Sequence, residues 1–393
     1  TRNKASAWRV IAYIPREKNI KSQNQLSKFP AAVKTFRLQQ LYQAALSSLI
    51  EAQKPGVLNG VKLQLGRKSK MVNLKIPVMF IIGDNQGGDS ICGRIVHYGK
   101  TARRISRTCD AGPKQLSHPE AGCCNRLIMQ NVMNHVINQD EDELYKLYQV
   151  PHWVAWFDLD YGGNPEGIFT AACPPEALHA LENGIYFHVL KELFKEILKP
   201  TTSSLLDGLI ISWNEYPRQH FLRSFNIEGY PRLLFSSGIS KLSDLKADDK
   251  VGIIFCIIIA ALQYEGRNIL LNAANIDDNL YRDIIYVFEL MLCYRAWLKR
   301  TTYWKLGDTN TLHNVQQAIE KLLNDIIKLI PRTTGNNWDI SKIHEQLHVA
   351  ENIEKYGAHE NVHTGPQEHN HIELTKKPSK QVQRKKSILD WQL

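Results

Sequence analysis

Residues 76–94 read IPVMFIIGDNQGGDSICGR. An apolar, β-rich run stops at Gly83 and Asp84 and gives way to Gly, Asn and Asp, which is how a sheet brings a carboxylate to its rim as a metal ligand or catalytic acid. Gly-Asp-Asn is also a good turn former in its own right, so Asp84 can be read as a turn residue, and Asp89 is read as one. Working outward, WRVIAYIP at 8–15 is a second strand-like segment, and FRLQQLYQAALSSLIEA at 36–52 has the periodicity of a helix. The first hundred residues therefore read as α/β. Because the chain opens on Thr1 and runs at once into a strand-like segment, the sequence predicts the interior of a longer protein.

A chain of 393 residues with 43% hydrophobic content can bury a substantial core, and its length predicts two or three units. Lys and Arg number 49 against 39 Asp and Glu, a net charge of +10. That excess favours an anionic partner such as nucleic acid over an inert basic surface. The seven cysteines are an odd set scattered over a long chain, which excludes a small disulfide scaffold and fits a reducing compartment. The longest apolar run, VGIIFCIIIAAL at 251–262, falls short of the roughly 18 residues a membrane span needs. It reads as a buried core element, with no membrane partner and no signal peptide expected.

Composition divides the chain into five segments. Residues 1–91 form an α/β unit. Residues 92–130 are basic, polar and rich in Cys and His, an irregular insert. Residues 131–335 are dominated by helical patterns at 176–198, 277–300 and 311–330; 336–375 follow as a histidine-rich stretch, and 376–393 as a basic tail. Within the insert, Cys92, Cys109, His118, Cys123 and Cys124 supply thiolates and an imidazole suited to a tetrahedral Zn²⁺ ion that would order a segment too polar for a core of its own. The expected ligands are Cys109, His118, Cys123 and one of Cys92 or Cys124. His344, His348, His359, His363, His369 and His371 have spacings that fit no single metal site. Arg103, Arg104 and Arg107 in the insert, with Lys376 and Lys377 in the tail, are the candidate phosphate contacts; the tail's RKK run at 384–386 reads equally as a nuclear import signal or a solvated face.

Five blocks in order carry a resemblance: WRVIAYIP (8–15), FIIGDNQGGDSICGR (80–94), CPPEALHALENGIYFHVLKEL (173–193), SSGISKLSDLKADDKVGIIF (236–255), and the histidine-rich block 340–377. Together the chain resembles the catalytic region of Plavaka-type transposases, relatives of the CACTA superfamily. The resemblance implies an α/β, RNase H-like mixed sheet core, contributed in part by 1–91 and completed by 336–375, interrupted by a large, mainly helical insertion at 131–335. It also implies a DDE-type transposase, which holds two Mg²⁺ (or Mn²⁺) ions for in-line phosphodiester displacement and works in the nucleus on DNA, with two copies assembling to hold two DNA ends. Hard cations of this kind take carboxylate oxygens. Asp84 matches the family's second catalytic aspartate, and Glu368, in TGPQEHNHI, its glutamate. Glu176 is the rival acid, one helical turn before His179, although a carboxylate in a first turn is usually there for the helix dipole. The family's first aspartate belongs on a strand upstream of 8–15, so strand cleavage is expected only if that strand exists. A non-catalytic DNA-binding protein derived from a transposase is the alternative, and a helical scaffold without nucleic acid a third.

Overall fold

A computed structural model describes residues 31–79, 81, 85–95, 106–112, 117, 124–171, 177–213, 235–243, 245–299 and 309–357. The chain divides into two compact units, one of Thr1–Val96, Arg126–Cys173 and His363–Leu393, the other of His97–Asn125 and Pro174–Val362. Composition put boundaries at 91/92 and 130/131; the compact units part at 96/97, 125/126 and 173/174. The central part of the basic Cys/His insert, 97–125, thus belongs to the same unit as the helical body and the described part of the histidine-rich stretch, whereas 92–96 and 126–130 belong to the first unit.

In the first unit, α1 (Ala31–Gln53) is followed by a hairpin of β1 (Val61–Leu65) and β2 (Lys68–Val72), then α2 (Asn85–Ile91), α3 (Met129–Asn138), α4 (Glu141–Lys146) and α5 (Ile168–Ala171). A core that includes Leu46, Ile91, Val132, Val136, Val150, Phe157, Ile168 and Phe169 joins the helices, and no hairpin residue belongs to it. The antiparallel β1–β2 pair is the only sheet among the described residues. The described residues are therefore mostly helical with a small antiparallel sheet, compatible with an α/β class, and they do not show an RNase H-like core. Segment 8–15 lies outside the described residues, as do Phe80 and residues 82–84. The described part of the apolar run, 76–79 and Ile81, forms no strand and pairs with none among the described residues. Its amides reach loop carbonyls instead, Val78 to Asp160 at 2.8 Å and Ile81 to Ala171 at 2.7 Å. Strand propensity is fulfilled only against a neighbouring strand, and no such neighbour is described. The polar stretch after it forms α2, so Asp89, read as a turn residue, is a buried helical one. Gly93 ends this turn at φ 68°, where a Cβ would stand 2.5 Å from Val154 and 2.7 Å from Gln149; only glycine fits.

The regular elements described in the second unit are all helices. A continuous helical stretch has π-type turns at Ala177–Tyr186 and Leu193–Ile197 flanking α6 (Phe187–Glu192). It is followed by α7 (Lys199–Ser212), α8 (Ala247–Leu262), α9 (Tyr264–Asn268), α10 (Asp278–Leu298), α11 (Thr309–Leu329), α12 (Ser341–Gln346) and α13 (Val349–Tyr356). The run at 251–262 is α8, whose Val251, Ile253, Ile254, Cys256, Ile257 and Ala260 are buried; a helix apolar on all sides belongs in the middle of a bundle. No single described helix is long and apolar enough to cross a membrane. At the start of α10, Asp277 caps the helix, accepting from the Leu280 amide at 2.8 Å.

Several polar groups inside this body have specific partners. Gly184 lets Lys342 lie against the backbone, where it donates to the Asn183 carbonyl at 3.3 Å. Glu182 accepts from Arg295 and sits 3.4 Å from Lys299. His188 differs: burial first, then the charges of Arg332, Lys342 and Lys191, push its pKa down to about 3. A folded-state value below the unfolded one gives stability that is full above the ordinary imidazole pKa and is lost as pH falls toward the depressed value. His188→Gln is therefore expected to flatten the acid limb of the stability curve between about pH 6 and pH 4 by about 1.4 kcal/mol per pH unit, read by urea unfolding at each pH. An unchanged slope would show that the imidazole is protonated in the fold.

Candidate metal centre

The site is built from two segments of the second unit that are far apart in sequence. Residues 106–112 and 124–125 are irregular, so their geometry depends on side-chain clamps. Asp110 and Asn125 form one: the Asp110 amide donates to the Asn125 carbonyl at 3.0 Å, and Asn125 returns its amide and Nδ2 to the two Asp110 carboxylate oxygens at 2.7 and 2.9 Å. This locks the residues following Cys109 and Cys124 together, and so sets the two thiols side by side.

Two further contacts dock the insert onto the helices. Ser117 donates its amide and hydroxyl to Asp339 Oδ1 at 3.0 and 2.6 Å, just ahead of α12. Arg107 donates to Glu345 Oε1 at 2.9 Å, with both side chains 6% exposed. The short helix α12 is buried at Ser341, Ile343, His344, Glu345 and Gln346, so each of its polar side chains needs an interior partner. Gln346 accepts from the Tyr294 hydroxyl at 2.7 Å, Glu345 takes Arg107, and His344 faces Cys109.

Cys109, Cys124, His344 and His348 then converge, each offering one donor atom, with all four within 4.8 Å of one another. His344 Nε2 lies 3.0 Å from Cys109 Sγ, 3.9 Å from Cys124 Sγ and 3.2 Å from His348 Nε2. A tetrahedral zinc ion with ordinary bond lengths needs ligand separations of about 3.3 Å between nitrogens and about 3.8 Å between sulfurs, and the observed separations bracket that range. The imidazole rings stand at 76° with centroids 4.9 Å apart, so each presents an edge nitrogen rather than a stacking face. Two Nε2 atoms and two sulfurs aimed at one point satisfy each other poorly as hydrogen-bonding groups, whereas a cation at that point satisfies all of them.

The electrostatics agree. Burial pushes the Cys256 thiol up to about 12. Cys109 is equally buried, yet its thiol is held far below the usual range, first by its hydrogen bond to Cys124, then, against the opposing desolvation, by His344 and His348. Stabilised thiolate is the form that binds metal. Two sulfurs and two nitrogens, buried except for the half-buried Cys124, are a donor set that could hold a structural zinc ion and that lacks the oxygen donors Mg²⁺ prefers.

Of the ligands expected from sequence, Cys109 and Cys124 are brought together; His118 and Cys123 lie outside the described residues. Cys92 is buried in the apolar core of the first unit, its Sγ 3.9 Å from the Ile168 carbonyl. His344 and His348 were read as too irregularly spaced for a site. They supply half of this one, because four residues across the bend between α12 and α13 set both rings on one side. The signal was present as two incomplete halves, a cysteine pair and an H-x-x-x-H pair, which neither segment completes alone. Arg107, read as a phosphate contact, is buried and engaged with Glu345. Asp84, Glu176, Glu368, Arg103, Arg104, Lys376 and Lys377 lie outside the described residues. Compared with protein-family models and with curated proteins, the chain matches none.

Proposed function

We propose that this chain is a transposase-like, DNA-contacting protein whose helical body is stapled by one zinc ion held by Cys109, Cys124, His344 and His348. The convergence of those four donors from segments 235 residues apart carries the reading. Such an ion ties a basic insert without a core of its own to the buried helix α12, which is how structural zinc substitutes for hydrophobic burial. DNA as partner is supported by the net charge of +10 and by the five ordered blocks that resemble Plavaka-type transposases.

Strand cleavage and transfer would be a separate chemistry in the same chain. It would use hard oxygen donors, Asp84 and Glu368 with Glu176 as the rival, to hold Mg²⁺ or Mn²⁺ at the attacking and leaving oxygens. Its support is the sequence resemblance, which also points to the nucleus and to assembly of two copies on paired DNA ends. The non-catalytic DNA-binding reading shares the zinc centre and drops only this step.

The deciding experiment combines elemental analysis with nicking of supercoiled DNA. One zinc per chain, cobalt substitution giving a tetrahedral thiolate spectrum, and salt-sensitive DNA retention are the expected results. Mg²⁺-dependent nicking that vanishes in Asp84→Ala, with zinc content unchanged, would assign the enzyme; DNA retention without nicking would assign the binding protein. A chain that holds no zinc and retains no DNA at low salt would sink the proposal.

A further inference from the structure

The stretch from Ala52 to Gly83 contains Lys54, Lys62, Arg67, Lys68, Lys70 and Lys75 and no carboxylate. Its centre is the β1–β2 ribbon, joined through Gly66 at φ 64° and Arg67, a two-residue connection of the tight kind that suits glycine. The ribbon's base is closed by the Leu74 amide on the Leu58 carbonyl at 3.0 Å and the Gly60 amide on Asn73 Oδ1 at 3.1 Å. From there outward it meets little protein. Lys68, Ser69, Lys70 and Met71 are all exposed, Met71 at 61%, and so are Lys62, Gln64 and Arg67.

The register sorts these side chains. Lys62 faces Met71 and Gln64 faces Ser69, so one face of the ribbon is exposed along its whole length. Lys70, opposite Leu63, and Lys68, opposite Leu65, project from the other face, about 7 Å apart along the strand. Arg67 occupies the tip. None of Lys62, Arg67, Lys68 and Lys70 has an ion-pair partner among the described residues. Cations that no carboxylate among the described residues neutralises, carried on a narrow arm, make a local positive potential that an external polyanion can quench.

We propose that this ribbon is a DNA-contacting arm, with Lys62, Arg67, Lys68 and Lys70 on backbone phosphates. A two-stranded ribbon has the width the major groove of B-DNA admits, and phosphate contacts of this kind give affinity without sequence preference. The inference rests on the DNA-binding reading above and adds the element that does the binding. Lysines on open strand edges also keep ribbons from pairing with one another, and the test separates that role from DNA contact.

The test measures binding of the whole protein to a short mixed-sequence DNA duplex across a salt series. Arg67→Gln, Lys68→Gln and Lys70→Gln are combined in one variant; Lys191→Gln, Lys321→Gln and Lys328→Gln, exposed cations of the helical body, remove equal charge in a control. Glutamine keeps the length and polarity, and unchanged circular dichroism confirms the fold. The ribbon variant is expected to lose at least about tenfold in affinity at about 0.1 M salt and to lower the slope of log K against log salt by about 2 to 3, with the control changing it by less than about 1. Ribbon and control variants that bind alike, while the ribbon variant aggregates, would assign the lysines to edge protection and overturn the inference, leaving DNA binding itself standing. A parent chain with no salt-dependent retention would remove both. Preference for anionic vesicles or single-stranded RNA, lost in the same variant, would also overturn it.

Discussion

Stripping zinc from the metal-loaded protein is expected to lower the melting temperature of the helical unit by about 8–16 °C. With free zinc held about 1,000-fold above its dissociation constant, linkage gives roughly 4 kcal/mol of stabilisation, and each kcal/mol moves the midpoint of a unit this size by about 2–4 °C. Chelation followed by calorimetry, with zinc added back, measures the shift. Cys109→Ser and His344→Ala should reproduce the metal-free midpoint and become insensitive to chelator, because each removes one of four donors and opens the tetrahedron. The body itself should stay folded at room temperature, since α8, α10 and α11 bury an apolar core that contains none of the four donors. A metal-free protein that melts at the metal-loaded midpoint would show that the cluster is only a hydrogen-bonded core.

Arg107→Met is expected to cost about 3–5 kcal/mol, the usual penalty for leaving one half of a buried pair charged and alone. Glu345 would then be an uncompensated carboxylate, 6% exposed, whose second oxygen already lacks a hydrogen-bond partner among the described residues. Combining it with Glu345→Leu should restore much of the loss, because replacing both partners of a buried pair with apolar groups is often nearly neutral. The double-mutant cycle, by urea unfolding in metal-loaded and metal-free protein, gives the coupling energy directly. A further result follows from adjacency: Arg107 lies two residues from Cys109, and Glu345 is next to His344. The single variant should therefore also weaken zinc binding, whereas the double variant should recover it in part. Equal costs for the single and double variants would show that the pair contributes packing alone.

These two sites show where sequence reading stops. The helices were legible because an apolar face repeats with the helical period over twenty residues or so, and α1, α10 and α11 follow the periodic stretches closely. The core position of α8 was legible from its composition, since a helix with no polar face has nowhere else to go. The cysteine half of the metal centre was also legible, because soft donors in a polar, coreless segment have few other uses. By contrast, the strand reading at 76–84 depended on a partner that local sequence cannot supply, and its described part pairs with no strand among the described residues. Arg107 looked like a surface cation because a run of arginines usually is one; its burial depends on Glu345, 238 residues away.

The sequence by itself determined a basic chain with a largely helical body over 131–335 and a cysteine-bearing insert, because charge, composition and periodicity are local properties of the chain. Only the tertiary structure decided that Cys109 and Cys124 meet His344 and His348, and that Arg107 turns inward. Both are pairings between distant segments, and their geometry is fixed by the packing of α12 against the insert rather than by any preference of the residues themselves.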